Sequence, residues 1–194
     1  IGADGLGLIS YYDDTNTDLK VAHCSDTNCT SATITTLDST DDVGKYTSVT
    51  IGADGLGLIS YYDGTNTDLK VAHCSDTNCT SKTITTLDST GNVGKYTSVT
   101  IGADGLGLIS YKDDTNDDLK VAHCSNTNCT SKTITTLDST GNVGLYTSVT
   151  IGADGLGLIS YYDDTNTDLK VAHCSNTNCT SATITTLDST GNVG

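Results

Sequence analysis

Apolar and polar positions fall in short runs along this chain, and the runs return at a constant interval. In Ile1–Thr50 they are Leu6-Gly7-Leu8-Ile9-Ser10-Tyr11-Tyr12, Leu19-Lys20-Val21-Ala22-His23-Cys24, Ala32-Thr33-Ile34-Thr35-Thr36-Leu37 and Lys45-Tyr46-Thr47-Ser48-Val49-Thr50. Runs this short, rich in Ile, Val, Thr and Tyr, predict strands and not helices. Asp4-Gly5, Asp13–Asp18, Ser25–Asn28 and Asp38–Gly44 separate them with the residues that favour turns. The same 50-residue text recurs at Ile51–Thr100 and Ile101–Thr150, and in shortened form at Ile151–Gly194. A repeat of this period marks stacked units, none of which can bury its apolar face alone.

One unit reads as four strands joined by three tight connections and one longer crossover. The Asp4-Gly5 pair is a hairpin signal. The run after it is apolar on both faces, as in a strand held between two neighbours. An up-and-down sheet that then hands the chain to its next copy is the logic of a β-propeller blade. The expected fold is therefore all-β, a propeller-type tandem repeat of four-stranded antiparallel blades, with units 1–45, 46–95, 96–145 and 146–194. Position 32 accepts Ala or Lys among the copies (Ala32, Lys82, Lys132), which places Ala32–Leu37 at the outer edge of each blade. The six residues missing from the last copy correspond to Lys45–Thr50, so the first blade is expected to lack its opening strand. Another copy or a longer parent chain would supply it.

Charge narrows the partners. The net charge is −15 with a pI near 4.1, and nine lysines are the only bases apart from histidine. Nucleic acid and anionic membrane surfaces require clustered Lys or Arg, so neither is expected. No apolar run approaches the ~18 residues of a membrane span, and no targeting signal is visible. Without an initiating Met, the chain reads as a processed product, a piece of a longer one, or an engineered or consensus sequence.

Eight cysteines form four pairs of one spacing, Cys24/Cys29, Cys74/Cys79, Cys124/Cys129 and Cys174/Cys179, each flanking a turn. A disulfide across each would staple the turn, contributing about 2 kcal/mol for so short a loop, and would imply a secreted or cell-surface protein. The rival reading is a metal site that includes the adjacent His23. It is weakened because neighbouring strand residues point to opposite faces. Asn28-Cys29-Thr30 is formally a glycosylation sequon, at odds with a disulfide at its centre. Asp14, Asn16 and Asp18 have the alternating oxygen spacing of calcium loops, but Gly64 replaces the first of them in the second copy and no closing glutamate follows, so a plain turn is expected. Asp117 adds a charge in the third copy, making Asp114, Asn116 and Asp118 the remaining calcium candidate. No cofactor is expected.

These residues resemble the blades of bacterial secreted propellers that read I-G-x-D-G-L-x-x-I-S-Y-Y-D, then L-K-V-A-H-C, then a second Cys. Ile1–Asp13, Leu19–Cys24 and Cys29 carry the pattern, and Lys112 departs from it. Such repeats look like the sialidase-type propeller class, which implies radial four-stranded sheets. The Asp box, the arginine cluster and the glutamate of a sialidase are absent, so an enzyme is not expected. His23, His73, His123 and His173 recur without a free nucleophile and read as packed on a blade face. Ten tyrosines, among them Tyr11, Tyr12 and Tyr46, either stack on sugars or pack between layers with the hydroxyl at the edge. The expected role is an extracellular structural scaffold assembled through identical blade interfaces. The alternative is multivalent carbohydrate binding through the Asp13–Asp18 or Asp38–Gly44 loops.

Overall fold

The computed structural model describes all residues from Ile1 to Gly194. It contains fifteen strands in four antiparallel sheets that follow one another along the chain. Blade 1 has three, β1 (Leu8–Asp13), β2 (Asp18–Cys24) and β3 (Ala32–Asp38). Blade 2 has four, β4 (Val43–Ile51), β5 (Gly57–Asp63), β6 (Asp68–Cys74) and β7 (Lys82–Asp88). Blade 3 comprises β8 (Val93–Ile101), β9 (Gly107–Asp113), β10 (Asp118–Cys124) and β11 (Lys132–Asp138). Blade 4 comprises β12 (Val143–Ile151), β13 (Gly157–Asp163), β14 (Asp168–Cys174) and β15 (Ala182–Asp188). Each full blade is an up-and-down sheet in chain order, with the Lys82-type strand at one edge as the Ala/Lys variation predicts.

The opening strand of each full blade starts earlier than expected. Val43 and Gly44 are not a corner before the strand, because Val43 already pairs with Asp63 and donates its N–H to the Thr17 carbonyl. The sheet boundary therefore lies between Asp38 and Val43, ahead of the 45/46 division. Gly44 sits at φ 105°, and a Cβ there would come within 2.7 Å of the Leu19 Cα, so the bulged entry requires glycine.

Hydrophobic burial lies between blades, as stacked units require. Leu58, Leu69, Val71 and Leu87 of blade 2 meet Ile109, Tyr111 and Ala122 of blade 3 in one cluster. Equivalent clusters join blade 1 to blade 2 and blade 3 to blade 4. Opening strands also link directly, with Val99 N donating to Ser48 Oγ and Val149 N to Ser98 Oγ, each at 3.2 Å. The four cysteine pairs are joined, Cys24–Cys29, Cys74–Cys79, Cys124–Cys129 and Cys174–Cys179, and no cysteine is free.

Candidate functional site

The most repeated polar arrangement is a buried triplet between blades. Asp38, at the end of β3, accepts from Tyr61 Oη and from Lys70 Nζ, both at 2.7 Å, and Lys70 also lies 3.5 Å from Asp63. Asp88 with Tyr111 and Lys120, and Asp138 with Tyr161 and Lys170, repeat the pattern at 2.7–2.8 Å. Burial works to raise the Asp38 carboxyl, but the hydrogen bonds from Lys70 and Tyr61 outweigh it and hold the group below the ordinary range. The same balance holds at Asp88 and Asp138. Burial, and next the facing carboxylate, push the Tyr61 and Tyr111 phenols far up. These are packing groups, with the ring between layers and the hydroxyl satisfied. The sequence signal for them was a lysine that stays put in an otherwise apolar run, Lys20 in Leu19–Cys24 and its copies.

A different tyrosine set lies near the surface. Tyr46, Tyr96 and Tyr146 sit in the bulges of β4, β8 and β12, with centroids 4.8 and 4.7 Å apart in succession. Their φ values are 54°, 53° and 51°, the left-handed region that a bulky residue rarely occupies. Tyr46 and Tyr146 are 43% and 63% exposed. Burial, and then the flanking Tyr46 and Tyr146, raise the Tyr96 phenol to about 12. The two loops expected to carry ligand contacts close on each other at this face, through Val43 N to Thr17 O and Thr17 Oγ1 to Asp41 O.

Around the row, the differences among copies turn out to be coupled. At the junction of blades 1 and 2, Lys45 lies over the Tyr12 ring and pairs with Asp42, which also accepts from Tyr12 Oη. Position 64 is glycine there, and a Cβ on Gly64 would crowd the Asp42 carboxylate at 2.9 Å. At the next junction Lys95 lies over Tyr62, position 92 is Asn, and Asp114 supplies the carboxylate instead. At the third, Lys112 replaces the tyrosine and Leu145 replaces the lysine. The buried Lys112 ammonium lies 2.6 Å from Asn142 Oδ1 and 3.2 Å from Asp117 Oδ1. Asp117, the extra charge of the third copy, is thus the counter-ion of Lys112. Lys95 already shares Asp114 with Lys112, and Leu145 avoids a further ammonium beside it.

The calcium candidates do not converge. Asp114 holds Lys95, and Asn116 donates its side-chain amide to Asp113. Asp118 pairs with Asp113 across the hairpin, where burial and then the Asp113 charge raise its carboxyl. Asp13, one residue before the predicted triad, organises the equivalent turn in blade 1 by accepting from Thr15 N, Asn16 N and Asn16 Nδ2. No group of three or more His, Cys or Asp side chains is placed to hold a metal ion.

The histidines lie at the opposite end of each blade, against the Asp-Gly turns. Asp4 Oδ1 accepts from Leu6 N within the turn, while Asp4 Oδ2 lies 2.9 Å from His23 Nε2. His73 and Asp54, His123 and Asp104, and His173 and Asp154 are paired at 2.8–2.9 Å. His123 is aligned as a hydrogen bond to Asp104, whereas His23 and His73 keep the distance with the ring N–H aimed off the oxygen. His23 Nδ1 also lies 2.7 Å from Asn78 Oδ1 of the next blade's disulfide loop, which fastens neighbouring blades. Each histidine thus ties a turn to a strand at the blade face.

Four successive up-and-down sheets, packed face to face with their opening strands along the inside, define a segment of β-propeller. No protein-family model matches the chain, and no curated protein matches it. Solved structures do resemble it. A GH43 β-1,3-galactosidase superposes with a TM-score of 0.61 at 11% identity, over 96% of this chain and 44% of that one. An α-L-arabinofuranosidase from Lactobacillus brevis gives 0.60 at 10%, over 94% and 69%. An exo-β-1,3-galactanase from Clostridium thermocellum gives 0.57 at 13%, over 96% and 48%. The likeness is that of GH43 propeller blades, and it concerns the fold. The chain spans about half the length of most of these proteins.

Proposed function

We propose that this chain belongs to an extracellular β-propeller that binds neutral carbohydrate without cleaving it, at the face carrying Tyr46, Tyr96 and Tyr146. The observation that carries this reading is the row itself, three rings held in strained left-handed bulges, the outer two, Tyr46 and Tyr146, open to solvent and Tyr96 half-buried between them. Backbone strain of about 1–3 kcal/mol per residue persists where surrounding structure enforces it, and it gathers at binding sites. Tyrosine suits sugars because its ring stacks on an apolar face and its hydroxyl bonds the rim. The neighbouring carboxylates would repel an acidic polymer from a chain of charge −15, so the ligand is neutral. Resemblance to galactan- and arabinose-directed proteins agrees with that class.

Binding without hydrolysis follows from how the acids are spent. A glycosidase places two carboxyl groups across the scissile bond, one of them able to donate a proton. Here Asp42 is held low, first by Lys45 and also by Tyr12, Asp114 holds Lys95, and Asp164 accepts from Asn142. Each is already engaged by a neighbouring side chain. Tyrosine fluorescence, undiluted by tryptophan, supplies the test. β-1,3-galactan or arabinan should change it saturably, and Tyr46→Ala with Tyr96→Ala and Tyr146→Ala should abolish the change. Unaltered binding by that triple variant, or release of reducing sugar, would refute the proposal.

The scaffold reading rests on a different observation, the three junctions built from one set of contacts. Near-identical interfaces can extend an assembly. Electron microscopy of unreduced protein that shows concentration-dependent rings or filaments would favour it.

A further inference from the structure

Blades 2, 3 and 4 show what normally covers the second strand of a blade. Val49, Thr50 and Ile51 of β4 pair with Ile59, Leu58 and Gly57, and β8 and β12 repeat this on β9 and β13. Under that cover Ile59, Ile109 and Ile159 are 0% exposed. Blade 1 presents the same strand uncovered. β1 pairs only with β2, Ile9 is 50% exposed, and an apolar cleft of about 330 Å³ lies beside the strand, lined by Ile1, Leu8, Val49, Thr50 and Ile51. An open strand edge of this kind is a template for a further strand.

We propose that the free edge of β1 is a docking site for one strand of the repeat's own opening sequence, Val-Gly-Lys-Tyr-Thr-Ser-Val-Thr, contributed by another repeat unit. Three covered copies inside the same chain specify the occupant. Its Val takes the place of Val49 against Ile9, its backbone completes the ladder on Leu8–Asp13, and its Tyr extends the row beyond Tyr46. Charge selects between the two versions of the sequence. Lys95 is held by Asp114, and the equivalent Asp14 of blade 1 is exposed with no lysine on it. The lysine-bearing strand of β4 and β8 therefore fits better than the leucine-bearing strand of β12. The proposal does not rest on carbohydrate binding, since the unpaired ladder and the aliphatic cleft carry it.

The test is to titrate the 194-residue protein with the synthetic octapeptide VGKYTSVT while following amide hydrogen exchange. The expected result is saturable binding with protection confined to β1, and no binding of a shuffled octapeptide. Ile9→Asp, at a half-exposed position that leaves the fold intact, should weaken binding at least about tenfold by placing a charge in the cleft. VGLYTSVT should bind about threefold more weakly, the scale of an exposed ion pair, and Asp14→Asn should erase that difference. Failure of the peptide to bind, protection at β15 instead of at the β1 amides that face away from β2, equal binding of the shuffled peptide, or those outward β1 amides already protected in the free protein would each overturn the proposal.

Discussion

The three interior junctions and the two terminal faces of this molecule are built from nearly the same residues and end in opposite states. Leu37 and Leu87 are 3% and 2% exposed, while Leu187, at the same position of blade 4, is 60% exposed. Lys70 crosses to Asp38 of the preceding blade, whereas Lys20 turns back to Asp13 of its own hairpin. That contact, chiefly a hydrogen bond, holds the Asp13 carboxyl well below its ordinary value. The contrast shows which properties are local. Strands and turns form in every copy, but burial and the Asp–Lys–Tyr triplets belong to the junction, so a unit acquires a core only from its neighbour.

Removing a triplet carboxylate should give the largest difference between the two kinds of site. Asp88→Ala leaves Lys120 and Tyr111 without their acceptor in a buried junction and is expected to cost about 3–5 kcal/mol. Asp188→Ala, at the exposed equivalent, should stay within about 0.5 kcal/mol. Urea titration of the two variants compares them directly, and equal losses would mean that the terminal face is covered in solution. Aliphatic truncation comes next. Ile109→Ala opens a cavity in a fully buried position and should cost about 2–4 kcal/mol. Ile9→Ala, with half its surface already in water, should cost below about 1 kcal/mol by the area it covers. Thermal melts in which the two variants lose the same stability would break the comparison.

Acid and base should both weaken the interior junctions, through different groups. The Asp38, Asp88 and Asp138 carboxyls are held below the ordinary 3.8, so folding favours their ionised form. Their contribution is present above that value and is lost as pH falls through the lower folded range. Asp68 and Asp118, raised chiefly by burial, oppose it in part. Tyr61, Tyr111 and Tyr161 are raised above 10.0, so the unfolded chain gives up their protons first. Stability should therefore fall again as pH climbs past that value. Melting temperature against pH is expected to show a plateau with both flanks, and Tyr111→Phe should flatten the alkaline one and, by removing a hydrogen bond that helps hold Asp88 low, soften the acid one to a lesser degree.

How much of this was legible beforehand follows the same division. The four strands, the hairpin at Asp4-Gly5, the Cys24–Cys29 type of staple and the edge position of the Ala/Lys strand all come from local pattern, and the fold shows them. The bulge that turns Val43-Gly44 into strand could not be read, because its cause is the approach of Leu19 from another strand. Nor could the partners of Lys70, Lys120 and Lys170, since the charge they meet arrives from the preceding blade. Asp114, Asn116 and Asp118 looked like ligands because spacing reports neighbours along the chain. Space gives two of them to Lys95 and Asp113.

The subtlest of these hidden partnerships yields the smallest predicted effect. Lys112, Asp117 and Leu145 read as three unrelated departures from the repeat, yet they form one exchange in which the cation moves from β12 to β9 and brings its counter-ion with it. Reverting one member should hurt. Leu145→Lys puts a further ammonium beside Lys112, and Asp117→Thr takes away one of its carboxylates, each at about 1 kcal/mol on the scale of partly buried charge contacts. Combining Lys112→Tyr, Asp117→Thr and Leu145→Lys in one chain recreates the junction of blades 2 and 3, where Lys95 lies over Tyr62 and pairs with Asp114. That variant should return to within about 0.5 kcal/mol of the parent, a coupling that additive sites do not show. If the triple variant instead loses the sum of its single losses, the three positions are independent and near-identical junctions carry no chemical distinction between blades.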